Sequence, residues 1–275
     1  MCRFIAYLGK QPLVLSELID KPKNSLINQS RQAREGRLDI NADGVGIAWY
    51  DHRIDILPGT YKSTQPAWNN QNLHHIITKI QSTCFLGHVR AATIGDVDAY
   101  NCHPFTHQQF SFVHNGTIRD FHQIKRQLLN QLSDESFHLV KGQTDSEHFF
   151  VLLMELLYEK NCVQTKTFSL DKLADAIRQT ISTIYKLSHF TSLGRLNSVL
   201  TDGKQLIATR YMPRQEDGAL SLYYSWQIKD NSPGIIIASE PLTDYAQDWH
   251  EVPVNHILCI DEDLKMTYLP MNIDL

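Results

Sequence analysis

The chain has 275 residues, long enough for one large domain or two small ones with a substantial core. Its 26 Lys and Arg against 30 Asp and Glu give a formal net charge of -4, with both signs scattered, which excludes nucleic acid as a principal ligand. With 42% apolar residues, 13 Gly and 10 Pro, the composition is globular rather than disordered or fibrous.

Five cysteines, at 2, 84, 102, 162 and 259, are odd in number and form no C-x-x-C. They indicate neither a disulfide framework nor a structural zinc site, and favour a reducing, cytoplasmic setting. The longest apolar run, Phe149 to Met154, stops at Glu155, far short of the roughly 20 residues a membrane helix needs. Phe4 to Leu8 is closed by Gly9, Lys10 and Pro12, too short for a secretory signal, so the N-terminus is expected to belong to the fold.

In chain order, Arg3 to Gly9 reads as a buried strand with Cys2 at its head. Two short helical stretches are expected between Pro12 and Arg34. A turn at Asn41-Ala42-Asp43-Gly44-Val45-Gly46 then leads into a strand from Val45 to Tyr50 and a partner strand from Arg53 to Leu57. Leu73, Ile76, Ile77 and Ile80 mark one helix face, followed by a strand from Thr83 to Arg90. A further strand, Gln109 to His114, is cut off by Asn115-Gly116. Helices are expected at about 118–132, 144–160 and 169–188, the second opening with Thr144-Asp145-Ser146-Glu147. Leu196 to Leu200 and Gln205 to Tyr211 flank the hairpin signal Asp202-Gly203, and strands at Leu220 to Ser225, Ile235 to Ser239 and Ile257 to Ile260 follow. No linker or repeat divides the chain, so 1–275 reads as one domain. The order of elements favours an α+β fold, two mainly antiparallel sheets packed together with helices outside, over a doubly wound parallel sheet.

Cys2 follows the initiator Met, which is expected to be removed, leaving a thiol and an α-amine on one residue. With reference pKa values near 8.5 and 8, the amine can take the thiol proton, making a nucleophile with its own base. An ordinary small residue at a strand end is the alternative reading. Arg90 and Thr93 stand where a strand runs into a loop, a place for a guanidinium to grip a carboxylate or to form a surface ion pair. Asn115 and Gly116 can aim two donors at one point, as in an oxyanion hole, or simply make a hairpin turn. Asp145 is a helix cap or an acceptor for a substrate ammonium. The thirteen histidines form no H-x-x-x-H or similar ligand pattern, and no metal or other cofactor is expected.

The ordered set is more specific than any member. Met1-Cys2, G-H-V-R-A-A-T at 87–93, N-C-H-P-F at 101–105, H-N-G-T-I at 114–118 and T-D-S-E at 144–147 together resemble the class II glutamine amidotransferases, a family of N-terminal nucleophile (Ntn) hydrolases. The resemblance extends through Asn41-Ala42-Asp43-Gly44, Leu200-Thr201-Asp202-Gly203 and Ala238-Ser239-Glu240-Pro241-Leu242. It is nearest to the stand-alone branch with the γ-glutamyl hydrolase of ergothioneine synthesis and the yeast amidotransferase subunit of glutathione breakdown.

That resemblance implies the four-layer αββα sandwich of the Ntn hydrolase fold. It makes Cys2 the nucleophile and its α-amine the base, Asn115 and Gly116 the oxyanion hole, Arg90 and Thr93 the holders of the substrate α-carboxylate, and Asp145 the holder of its α-ammonium. Arg90-Ala91-Ala92-Thr93-Ile94 stands where synthetase-linked members commonly have R-W-A-T-H. The implied reaction is hydrolysis of the side-chain amide of glutamine or a γ-glutamyl compound through a Cys2 γ-glutamyl thioester. Because the resemblance spans the chain, either a partner synthase receives the ammonia or the enzyme is a plain hydrolase. Another N-terminal cysteine amidase, or a catalytically idle binding subunit on the same fold, are the rivals. A chain that keeps Met1 is expected to carry it over the mouth of the site and to be inactive, unless His114 or His103 serves as base.

Overall fold

The computed structural model describes residues 2–35, 40–159, 167–188, 194–213, 218–229 and 232–273. Strand β1 (Arg3–Val14) leads into short helices α1 (Ser16–Ile19) and α2 (Leu26–Arg31), and then β2 (Val45–Trp49), β3 (Gly59–Ser63), α3 (Gln71–Ile77) and β4 (Gln81–Val89). Next come β5 (Phe105–His107), β6 (Phe110–Gly116) and helices α4 (Phe121–Leu129), α5 (Asp134–Phe137), α6 (Asp145–Glu159) and α7 (Leu170–Leu187). The last third holds β7 (Leu196–Thr201), β8 (Leu206–Tyr211), β9 (Tyr223–Lys229), β10 (Ser232–Ala238), β11 (His250–Glu251), β12 (His256–Ile260) and β13 (Met266–Pro270).

Two sheets result, ordered β11-β9-β10-β1-β4-β2-β3 and β13-β12-β8-β7-β6-β5, and each described strand pair is antiparallel. The period of two sorts side chains into layers. In β1, Phe4, Ala6 and Leu8 join Leu86, Val113, Val199 and Ile237 in the core between the sheets. Ile5 and Tyr7 face the other way, into a core with Leu18, Ile19, Leu26 and Leu73 of α1, α2 and α3. The outer face of the second sheet buries Phe112 and Ile207 against α4, α6 and α7. This is the αββα sandwich, and each fully buried large side chain in it stabilises the fold by about 1.5–3 kcal/mol.

Several boundaries differ from expectation, and four of the differences have a visible cause. Strand β1 runs on to Val14 because a register shift between Leu8 and Leu13 lets it rejoin β4 at Leu13↔Ser82. The strand expected at 53–57 is a turn: Ile54 is 83% exposed, and Asp51 accepts from the Arg53 backbone and side chain. The true partner of β2 begins after Pro58, with Gly59 against the Trp49 ring. The strand expected at 220–225 starts only at Tyr223, since Leu220 and Ser221 offer their carbonyls to Asn197 instead. Finally, Asn115-Gly116 does not end β6 in a turn; both residues are in the strand, opposite Asn197 and Leu196. The hairpin at Asp202-Gly203 forms as expected, with Gly203 at φ +87°.

Candidate active site

Cys2 stands at the head of β1, where Arg3 pairs with Val89, so continuing the antiparallel register sets Cys2 opposite Arg90. Even-numbered residues of β1 face the second sheet, and the thiol therefore points into the space between the sheets. Its Sγ lies 3.6 Å from the Ala91 carbonyl oxygen. Burial pushes the thiol above its usual pKa; the Ala91 backbone and the Arg90 guanidinium oppose that rise, and the Asp145 charge adds to it. Cys2, Arg90 and Asp145 thus share one electrostatic neighbourhood although they are far apart in sequence.

The strand-to-loop junction is held by the Asn41–Gly44 turn. Asp43 N donates to Arg90 O, Arg90 N to Gly44 O, and Ala92 N to Asp43 Oδ2 at 2.7 Å. Arg90 is buried, and its guanidinium donates to the Ile94, Gly95 and Asp96 carbonyls at 3.0, 3.2 and 2.9 Å. Asn101 Nδ2 shares the Asp96 carbonyl. Thr93 lies exposed on the loop so gathered. The sequence had suggested Arg90 and Thr93 at a loop mouth, and both are there; the guanidinium, however, folds the loop around itself. Asp43 was legible only as a turn residue, and the N-A-D-G motif was the signal that pointed to it.

On β6, Val113 faces the inter-sheet core while Phe112 faces the helices, so alternation turns Asn115 toward the gap that Cys2 faces. Asn115 is buried, and its Oδ1 has no hydrogen-bond partner, an exposed cost in a folded protein unless a ligand or water completes it. Thr117 N donates to Arg195 O, just ahead of β7. Alternation therefore turns the Gly116 N–H away from β7, to the side where β5 pairs only as far as Phe112. A side chain at 116 would collide with the Arg195 carbonyl. A cavity of about 120 Å³ opens beside Gly116, lined also by Thr117, Gly194 and Leu220.

Asp145 is the first residue of α6 but not its cap, since Thr144 Oγ1 accepts from Glu147 N. The buried Asp145 carboxylate accepts from Ile118 N at 2.7 Å and Ser146 N at 2.9 Å. Burial nonetheless lifts its pKa to about 6, against the pull of these hydrogen bonds.

Sequence reasoning missed a cluster of buried histidines next to this site. His88 and His103 stack 4.1 Å apart, and His114 Nδ1 lies 2.8 Å from Ser146 Oγ. Burial lowers His88 to about 3, His114 to about 4 and His103 well below the usual value, so all three are neutral near pH 7. Imidazoles that weakly basic make poor general bases. Among the described residues, no group of three or more His, Cys, Asp or Glu is arranged to hold a metal ion, and no helix is long and apolar enough to cross a membrane. Met1 and Cys162 lie outside the described residues, so the expected cover of the site by Met1 does too.

Comparison with known proteins bears on the family and the fold. The chain is 38% identical to the probable glutamine amidotransferase DUG3 of Saccharomyces cerevisiae over 94% of its length and 82% of that protein. It is 26% identical to the γ-glutamyl-hercynylcysteine sulfoxide hydrolase of Mycobacterium tuberculosis, over 94% and 92% of the two chains. The solved glutamine aminotransferase class-II domain protein of Silicibacter pomeroyi superposes with a TM-score of 0.71 at 27% identity, covering 98% of each chain. The glutamine phosphoribosylpyrophosphate amidotransferase of B. subtilis shares the fold at 18% identity, with a TM-score of 0.62 over the whole of this chain and 50% of that one. The sequence profile of "Glutamine amidotransferases class-II" matches residues 19–267, and with the sandwich and its inward-facing Cys2 already in place, the chain belongs to that family.

Proposed function

We propose that this protein hydrolyses the side-chain amide of glutamine or of a γ-glutamyl compound, with Cys2 as nucleophile. Family membership supports an enzyme acting on an amide C–N bond. The observation that carries the finer reading is the placing of the Cys2 thiol between the sheets, opposite Arg90 and within the field of Asp145.

In this reading the α-amine freed by loss of Met1 takes the Cys2 proton, and the thiolate sulfur bonds to the amide carbon. The resulting oxyanion accepts from Asn115 Nδ2 and Gly116 N–H. The protonated α-amine then gives its proton to the departing ammonia or amine as the C–N bond breaks, leaving a γ-glutamyl thioester. Water, deprotonated by the same amine, attacks that thioester and releases glutamate and the thiol. Asp145 holds the substrate α-ammonium. Arg90, with Thr93, holds the α-carboxylate, which requires the guanidinium to exchange a loop carbonyl for the carboxylate.

The domain spans 1–275 and works in a reducing, cytoplasmic compartment, as the odd number of cysteines suggests, with Cys2, Cys84, Cys102 and Cys259 unbridged. A glutaminase assay beside a panel of γ-glutamyl amides, with Cys2→Ala as control, tests this reading. Ammonia or amine release lost in Cys2→Ala is the expected result. Release that persists in that variant, or none from the wild type, would refute it. A synthase partner that accepts the ammonia would reveal itself as stimulation when added.

A further inference from the structure

Arg3 follows the nucleophile in sequence, but alternation turns it to the opposite face of β1 from Cys2, so it cannot touch a substrate at the thiol. It is nonetheless fully buried, at 2% exposure, against Glu240 at 0%. Arg3 Nε donates to Glu240 Oε1 at 2.6 Å, and Nη1 donates to the Cys2 carbonyl oxygen at 2.9 Å. One rigid guanidinium therefore links the nucleophile's own carbonyl to a carboxylate beyond the end of β10.

Glu240 is a hub. Beyond Arg3, it accepts from Arg34 N at 3.0 Å, Glu35 N at 2.9 Å and Asn24 Nδ2 at 3.3 Å. Asn24 in turn is fixed to the same segment, its Nδ2 on the Pro241 carbonyl and its N on the Leu242 carbonyl. Next to the hub, Ser239 grips the second residue after Cys2 from both sides: its N donates to Phe4 O, and its Oγ accepts from Phe4 N. The first residues of β1 are thus held through three backbone groups, the Cys2 carbonyl and both polar groups of Phe4.

A buried ion pair is a costly way to join strands, since desolvating two charges offsets much of their attraction and an apolar pair would hold as well. What an apolar pair cannot do is hold a particular carbonyl at a particular angle. The end of a strand readily frays, yet a nucleophile needs its sulfur and its base aimed within a fraction of an ångström. Resting on the amidohydrolase reading of the site, we propose that Arg3 and Glu240 are positioning residues that act on Cys2 through its backbone, setting the aim of the thiol and the adjoining α-amine.

The variants Glu240→Gln and Arg3→Lys test this. The first puts an NH2 group where several donors converge, and the second replaces a two-pronged fork by a point charge. For each, kcat and KM on the best amide, Cys2 labelling by iodoacetamide and by a glutamine-like diazo ketone, and thermal midpoint are measured. A positioning role predicts, in folded protein, kcat lower by at least tenfold with KM within about threefold. Diazo ketone labelling should slow in step with kcat, while iodoacetamide, which needs no alignment, should still label Cys2. Folded variants with wild-type kcat would overturn the proposal, as would variants that both fail to fold, which would assign the pair to stability alone. A wild type inactive on every amide would instead refute the amidohydrolase reading and this proposal with it, so the two failures are distinguishable.

Discussion

The Asp145 carboxyl titrates at about 6 in the folded protein, and the proposed grip on a substrate ammonium requires it ionised. The ionised fraction is about 0.97 at pH 7.5 and about 0.24 at pH 5.5, so this carboxyl by itself should lower kcat/KM for an ammonium-bearing substrate about fourfold between them, on top of the fall from protonation of the α-amine base. Bound substrate supplies an opposite charge, which draws that pKa down. The fall should consequently show in kcat/KM and be smaller in kcat. Stability provides a second handle. A carboxyl whose folded pKa lies above its unfolded value of 3.8 binds more protons folded than unfolded between the two, so its own contribution improves as pH falls through 6. Asp145 protonation therefore weakens binding without weakening the fold. The assay is a kcat/KM profile from pH 5.5 to 7.5 on glutamine or a γ-glutamyl amide, wild type beside Asp145→Asn, with circular dichroism at each pH. Asp145→Asn should have a higher KM and an acid limb shallower than wild type by that fourfold, keeping only the fall that protonation of the α-amine base contributes. An acid fall of the same size in Asp145→Asn, or a flat wild-type profile, would refute the reasoning.

Cys2→Ala and Cys2→Ser should abolish hydrolysis at nearly unchanged thermal midpoint, and diazo ketone labelling should map by peptide mass to Cys2 and not to the other four cysteines. Asn115→Ala should lower kcat by the loss of one oxyanion donor, typically about 2.7–4 kcal/mol in the transition state; kcat within a few fold of wild type would return Asn115 to a structural role. Arg90→Lys should mainly raise KM, and by a larger factor for substrates with a free α-carboxylate, as steady-state kinetics on matched amides would show. His88 and His114, held at about 3 and about 4, are depressed below their usual 6.5. They contribute stability that is complete above pH 6.5 and is lost progressively as pH falls toward 4, measurable as a declining urea midpoint. Intact-mass analysis should show Met1 absent from active protein; full activity in molecules that all retain Met1 would rule out the α-amine as base.

Much of this site was readable from residue order because its parts sit at strand and helix ends, where chemistry and local signals coincide. Cys2 heads β1, Arg90 follows β4 and Asp145 opens α6. Sequence failed where local chemistry has two solutions that only pairing partners separate. Asn115-Gly116 carries the dipeptide of a tight turn, yet both residues stay in β6 because β7 offers Asn197 and Leu196 opposite them. Arg53 to Leu57 alternates like a strand, yet Asp51 and Asp55 take the backbone amides of Arg53 and Ile56 into a turn. The buried His88, His103 and Glu240 gave no periodic signal, since what defines them is burial and partners distant in sequence.

The same distinction explains how a very small apparatus can be aimed. The proposed nucleophile and base belong to one residue at the head of β1, where a strand frays most easily. Its neighbours hold it there. Val89 pairs with Arg3 on one side, Ser239 binds both polar groups of Phe4 on the other, and the Arg3 guanidinium reaches back to the Cys2 carbonyl. Because β1 lies between β4 and β10 in the middle of its sheet, these constraints come from both flanks at once. A nucleophile on an edge strand would have had one. The central place of β1 thus fits the proposed chemistry: it gives Arg3 and Phe4, the residues that follow Cys2, fixed partners on both flanks.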